Sequence, residues 1–134
     1  MSTVEKTFQD AVTAMNSGRP VDAERLFKKL LKRVPDNVAV LNLLTVVLVS
    51  MDRHAEAEPL ISKAIRLNQS SHVSYYNYGL ISKKLGKLQQ ALEQFNNAIR
   101  LNAKAPEAWN ERGAVLGDLG QYENAISDFD QAIS

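Results

Sequence analysis

Apolar residues recur at steps of three and four along most of the chain, the spacing of one side of an α-helix. LQQALEQFNNAIRLN, residues 88–102, places Leu88, Ala91, Leu92, Phe95, Ala98 and Ile99 on such a side. The stretch before it, SYYNYGLISKKLG, has helical spacing too and stops at Gly86. Glycine ends a helix because it accepts left-handed backbone at low cost. Two helices and a tight turn therefore make one unit. The unit recurs with a period of 34 residues: Ala23, Ala57, Ala91 and Ala125 share a column, as do Phe27, Ile61, Phe95 and Phe129. Leu30, Ala64, Ala98 and Ala132 form a third column, and Leu31, Ile65, Ile99 and Ile133 a fourth. Gly18, Asp52, Gly86 and Gly120 fall at the turn, and no insertion or deletion interrupts the period.

This register decides the most apolar stretch, LNLLTVVLVSM at residues 41–51. Its β-branched residues favour a strand locally. The repeat makes it the first helix of unit two, with packing expected to override that propensity. The apolar run from Val38 to Met51 is 14 residues long and holds Asn42, Thr45 and Ser50. A membrane span needs roughly 20 apolar residues, so no insertion is expected. Pro59 lies inside a predicted second helix and is expected to bend or delay it. Pro20 and Pro106 suit a first helical turn, and Ser2 with Glu5 reads as a capping box.

These residues resemble the tetratricopeptide repeat, a 34-residue helix–turn–helix. Unit four carries Trp109, Gly113, Gly120, Tyr122, Ala125, Phe129 and Ala132, and unit three Tyr75, Gly79, Gly86, Ala91, Phe95 and Ala98. Unit two departs most, with Leu41 for the aromatic, Thr45 for a glycine and Asp52 for the turn glycine. Unit one keeps Gly18, Ala23, Phe27 and Pro35. The resemblance implies an all-α fold: a right-handed superhelical α-solenoid of four tetratricopeptide repeats, at about 4–37, 38–71, 72–105 and a truncated 106–134, in a single domain. Each solenoid unit buries one face on its neighbour. The last helix is thus expected to leave an open flank at Ile126, Phe129 and Ile133. The chain then reads as the N-terminal part of a longer array, with the flank expected to stack on another copy as a homo-oligomer.

In this family the first helix of each unit lines a concave groove. The resemblance therefore assigns partner binding to Phe8, Val12 and Met15 in unit one and to Asn42, Val46 and Val49 in unit two. In units three and four it assigns Tyr76, Asn77, Leu80, Lys83 and Asn110. Seven of these are apolar or aromatic, and a monomer seldom exposes a large apolar patch without purpose. The groove then takes an extended peptide or an amphipathic helix; alternatively, curvature or a neighbouring copy buries these side chains. A glutamate at Val49 or Leu80 is expected to abolish capture and leave the helical melt nearly unchanged. Two recognition devices of the family do not fit. A clamp for chaperone C-terminal carboxylates needs Lys, Asn and Arg where this chain has Phe8, Val12, Leu43, Val73 and Asn77. An asparagine ladder would run through Gln9, Leu43, Asn77 and Glu111, of which Asn77 alone matches.

Bulk properties narrow the rest. The net charge of +1 offers no general field for nucleic acid or membrane, and the absence of cysteine removes thiolate chemistry and suits a reducing, cytoplasmic setting. The N-terminus lacks the apolar core of a secretory leader. Charge is nonetheless uneven: residues 1–104 balance to +6 and residues 105–134 to −5. Lys28, Lys29, Lys32 and Arg33 cluster on a second helix and read as a solvated face near a helix C-terminus. His54 occupies a packing column and His72 starts a helix, with no further metal ligand near either in spacing. The acidic residues read mostly as surface, and the glycines serve turns and crossings rather than phosphates. The sequence therefore predicts a non-catalytic scaffold with protein or peptide partners and no cofactor or metal. Two alternatives stay open. One is the substrate-recognition arm of a larger enzyme resembling the O-linked N-acetylglucosamine transferase or its SPINDLY relatives, with the catalytic domain outside this chain. The other is a self-assembling structural module.

Overall fold

A computed structural model describes residues 2–134. It contains α-helices and, among the described residues, no strands. They are α1 (Thr3–Asn16), α2 (Pro20–Arg33), α3 (Val38–Ser50), α4 (His54–Leu67), α5 (His72–Lys84), α6 (Leu88–Leu101), α7 (Pro106–Asp118) and α8 (Tyr122–Ile133). The helices gather into two compact units, α1 to α4 and α5 to α8, divided between Asn68 and Gln69.

Within the first unit α2 packs on α1 and on α3, and α3 packs on α4. Small residues make close approach possible: Ala11, Ala14, Ala23, Ala57 and Ala64 are buried beside Phe27, Leu30 and Ile61. The apolar stretch is helical, as the register requires. Val40, Leu41, Leu44, Val47 and Leu48 are buried, and so is Thr45, whose hydroxyl donates to the Leu41 carbonyl at 2.8 Å. Burial around most of its circumference explains why strand propensity loses here. In the second unit α6 packs on α5 and α7, and α7 on α8. Ala91, Phe95 and Val115 centre its core, with Leu88, Leu92 and Leu119 around them. Gly79 is required here, since a Cβ on it would lie 2.5 Å from the Phe95 ring.

All four within-repeat turns use one device. Gly18, Asp52, Gly86 and Gly120 have φ of 71°, 60°, 75° and 79°. Each donates its N–H to a carbonyl three residues back, and the next residue donates five back: Arg19 to Ala14, Arg53 to Leu48, Lys87 to Ser82 and Gln121 to Leu116, all at 2.8–2.9 Å. These are Schellman closures, which satisfy the last carbonyls of one helix and reverse the chain into the next. Asp52 is the one residue there with a Cβ, and its side chain is 91% exposed with Oδ1 3.2 Å from His54 Nδ1. Asp52→Gly should therefore raise stability by up to about 1 kcal/mol by removing left-handed strain. A lowered thermal midpoint would show that the contact to His54 outweighs that strain.

Three of the first helices, α1, α3 and α5, open with side-chain caps, and α7 opens on Pro106 instead. Ser2 Oγ accepts from Glu5 N at 3.1 Å, Asn37 Oδ1 from Val40 N at 3.1 Å, and Ser71 Oγ from Ser74 N at 3.2 Å. Pro59 does not delay its helix. Helix α4 starts at His54 and continues through it to Leu67. Proline removes one intrahelical bond, but Pro59 is exposed while Ala57, Ile61 and Ala64 stay buried on the same helix. That packing carries the helix through.

An ion network ties α2 to the start of α4. Arg53 donates to both oxygens of Glu24, at 2.6 and 2.8 Å, and to both oxygens of Glu56. Lys28 reaches Glu24 at 2.7 Å. The hydrogen bonds from Arg53, then Lys28, hold the Glu24 carboxyl down at about 2, against an ordinary 4.5. A depressed carboxylate stabilises the fold above its unfolded pKa and loses that contribution as pH falls through the folded one. Stability should thus decline between pH 4.5 and about 2. Acid titrations of the denaturation midpoint should show a shallower decline for Glu24→Gln; an unchanged slope would remove this carboxylate from the acid response.

Candidate functional site

The first helices of the repeats carry the predicted contact residues, and helical spacing groups them by face. On α1, Phe8, Val12 and Met15 lie at steps of four and three and are all half-buried. Phe8 is held by an edge-to-face contact with Phe27, at 6.3 Å between ring centroids. On α3, Asn42 and Val49 are half-buried, and Val46 is 46% exposed. The Asn42 Oδ1 atom is buried without a hydrogen-bond partner.

In the second unit Tyr76, Asn77, Leu80 and Lys83 lie on α5 and are half-buried, while Asn110 on α7 is exposed. Three of these have internal duties. Tyr76 stacks obliquely on Phe95, with ring centroids 5.9 Å apart. Leu80 and Tyr76 both rest on the Ala91, Phe95 and Val115 core. Lys83 Nζ is paired with Glu111 at 3.1 Å, an α5-to-α7 link. Leu80→Glu therefore strains the core of this unit, contrary to the expectation of an unchanged melt. Val46, which is exposed, is a place where a substitution leaves the core untouched.

Beside Tyr76 the unit encloses a cleft of about 200 Å³. Val73 and Tyr76 of α5, Ala98 of α6 and Ala108 of α7 give it an apolar lining. Ala105, Glu107 and His72 complete it. The α6–α7 loop that walls it is fastened at three points. Trp109 Nε1 donates to the Ala103 carbonyl at 2.8 Å, Lys104 N donates to Asn102 Oδ1 at 3.1 Å, and Asn102 Nδ2 lies 3.4 Å from His72 Nε2. Burial raises the Tyr76 phenol pKa, and the negative charges of Glu111 and Glu107 raise it further. Tyr76 is the predicted partner-contact residue that lines the cleft.

Asp128 also departs from the surface role expected of acidic residues. It is 4% exposed, and Arg112 grips it in a fork, Nε to Oδ2 at 2.7 Å and Nη2 to Oδ1 at 2.8 Å. Arg112 also donates to Asn96 Oδ1 at 2.9 Å and lies 4.8 Å from the Trp109 ring centre. The pair fastens α7 to α8.

Two family models match. One, the TT21 fifth ARM repeats domain, covers residues 9–112; the other, Tetratricopeptide repeat, covers residues 106–134. The chain belongs to the TT21 fifth ARM repeats family and is built of tetratricopeptide repeats. No curated protein matches it. Solved structures agree on the fold. A crystal structure of MamA superposes with a TM-score of 0.94 at 24% identity, over 98% of this chain and 77% of that one. MamA 41-end from Desulfovibrio magneticus RS-1 gives 0.94 at 19%, over 97% and 73%. YrrB, described as a TPR protein with an unusual peptide-binding site, gives 0.91 at 21%, over 98% and 68%. The fold is thus an all-α solenoid of tetratricopeptide repeats. Among the described residues no helix is long and apolar enough to cross a membrane, and no group of three or more His, Cys, Asp or Glu is placed to hold a metal ion.

Proposed function

We propose that this tetratricopeptide chain is a non-catalytic protein-interaction scaffold that holds a peptide or amphipathic helix on the faces of its first helices. One observation carries the reading: Val46 and Val73, on α3 and α5, stay 46% and 53% exposed although both are β-branched and apolar. On the same helices, half-buried Val49 lies three residues from Val46 and half-buried Tyr76 three from Val73, and α1 carries half-buried Phe8, Val12 and Met15. Such surface gains from being covered, at about 25 cal/mol per Å² before ordering costs. YrrB, a structural neighbour, is described as having a peptide-binding site.

The test uses peptides selected from a random displayed library against the folded chain. Val46→Glu should weaken the best of them at least about tenfold, the equivalent of roughly 1.4 kcal/mol, with an unchanged circular-dichroism melt. Equal affinity for both proteins would contradict the reading.

A second reading concerns α8, where Ile126, Phe129 and Ile133 are 60%, 38% and 86% exposed. This flank stacks on another copy of the chain. Sedimentation at rising concentration should show association that Ile126→Glu abolishes; a monomer at every concentration would dismiss it.

A further inference from the structure

We propose that the cleft between α5, α6 and α7 is a seat for one basic side chain, arginine or lysine, of a bound peptide. The inference rests on the peptide-scaffold reading and names a residue class that reading leaves open. At about 200 Å³ the cleft is smaller than the pockets that enclose drug-sized ligands, about 300–1,000 Å³, and suits a single side chain. Its apolar lining matches the aliphatic stem of a long cationic residue, which buries its methylenes and keeps its head at the surface.

Charge selects the cation over a plain aliphatic group. Glu107 lines the cleft, is exposed and has no ion-pair partner within its unit. No lysine lines the cleft, and Lys83 of α5 is committed to Glu111. Arg112, the one cation of residues 105–134, is committed to Asp128. The Tyr76 ring adds an aromatic face of the kind that attracts ammonium and guanidinium groups. Ala98, a small residue, lines the floor between the helices without filling it. The three loop hydrogen bonds hold the wall in place before anything binds, which lowers the ordering cost.

Three acetylated, amidated pentapeptides that differ only at the central residue (arginine, norleucine or glutamate) test this against the isotopically labelled full chain by NMR. The arginine peptide should shift the amide signals of Val73, Ala105 and Ala108, and bind about fivefold tighter than the norleucine peptide. Glu107→Gln, an exposed change, should erase that difference. Equal binding by norleucine, preference for glutamate, or indifference to Glu107→Gln would overturn the proposal. Shifts on α1 and α3 with none at the cleft would overturn it and leave the scaffold reading standing. No shift anywhere would count against both.

Discussion

Arg112→Met costs the unit of α5–α8 about 3–5 kcal/mol at neutral pH, because it leaves the Asp128 carboxylate buried without its cation. Asp128 is 4% exposed, and the Arg112 fork supplies both of its carboxylate oxygens with donors. The same physics predicts the rescue. A buried ion pair pays heavily for desolvation, and apolar groups of similar volume often serve as well. Arg112→Met combined with Asp128→Leu should therefore recover most of the loss. The one tryptophan, Trp109, lies in this unit and against Arg112, so denaturation followed by its fluorescence reads the effect locally. A single variant with wild-type stability would mean that Asp128 finds water or another partner.

Phe95→Ala should cost a similar amount, about 3–5 kcal/mol, through lost transfer energy and the cavity left behind. Phe95 is fully buried and supports the Tyr76 ring from below. Loss of peptide affinity should accompany the loss of stability, because Tyr76 then lacks its platform. The close approach at Gly79 supplies an internal check. Alone, Gly79→Ala should cost about 1–3 kcal/mol by overpacking against the ring. In the Phe95→Ala background it should cost nothing further, since the clashing atoms are gone. Additive losses would show that Gly79 matters for another reason.

Much of the fold was legible because it is written four times. A turn column of Gly18, Asp52, Gly86 and Gly120 is nearly a direct statement of positive φ, and the structure closes all four turns with the same bonds. The repeat also decided α3, where local propensity pointed to a strand. Pro59 does not delay α4, because buried Ala57 and Ile61 hold the helix on both sides of it.

The candidate face was legible only by spacing. Periodicity places Tyr76 and Leu80 on one side of α5 but cannot say that Phe95 and Val115 reach under both. The Lys83–Glu111 and Arg112–Asp128 pairs join different helices, and the 34-residue columns give no sign of them. The cleft is lined from three helices and a loop, and apolar pattern along one helix does not bring those residues together.

The central claim is that partners lie along the first helices rather than the second. Hydrogen–deuterium exchange of the full chain with a library-selected peptide measures this directly. Added protection should fall on the exchanging amides of α1, α3, α5 and α7, with α2, α4, α6 and α8 little changed. Protection concentrated on the second helices would contradict the account.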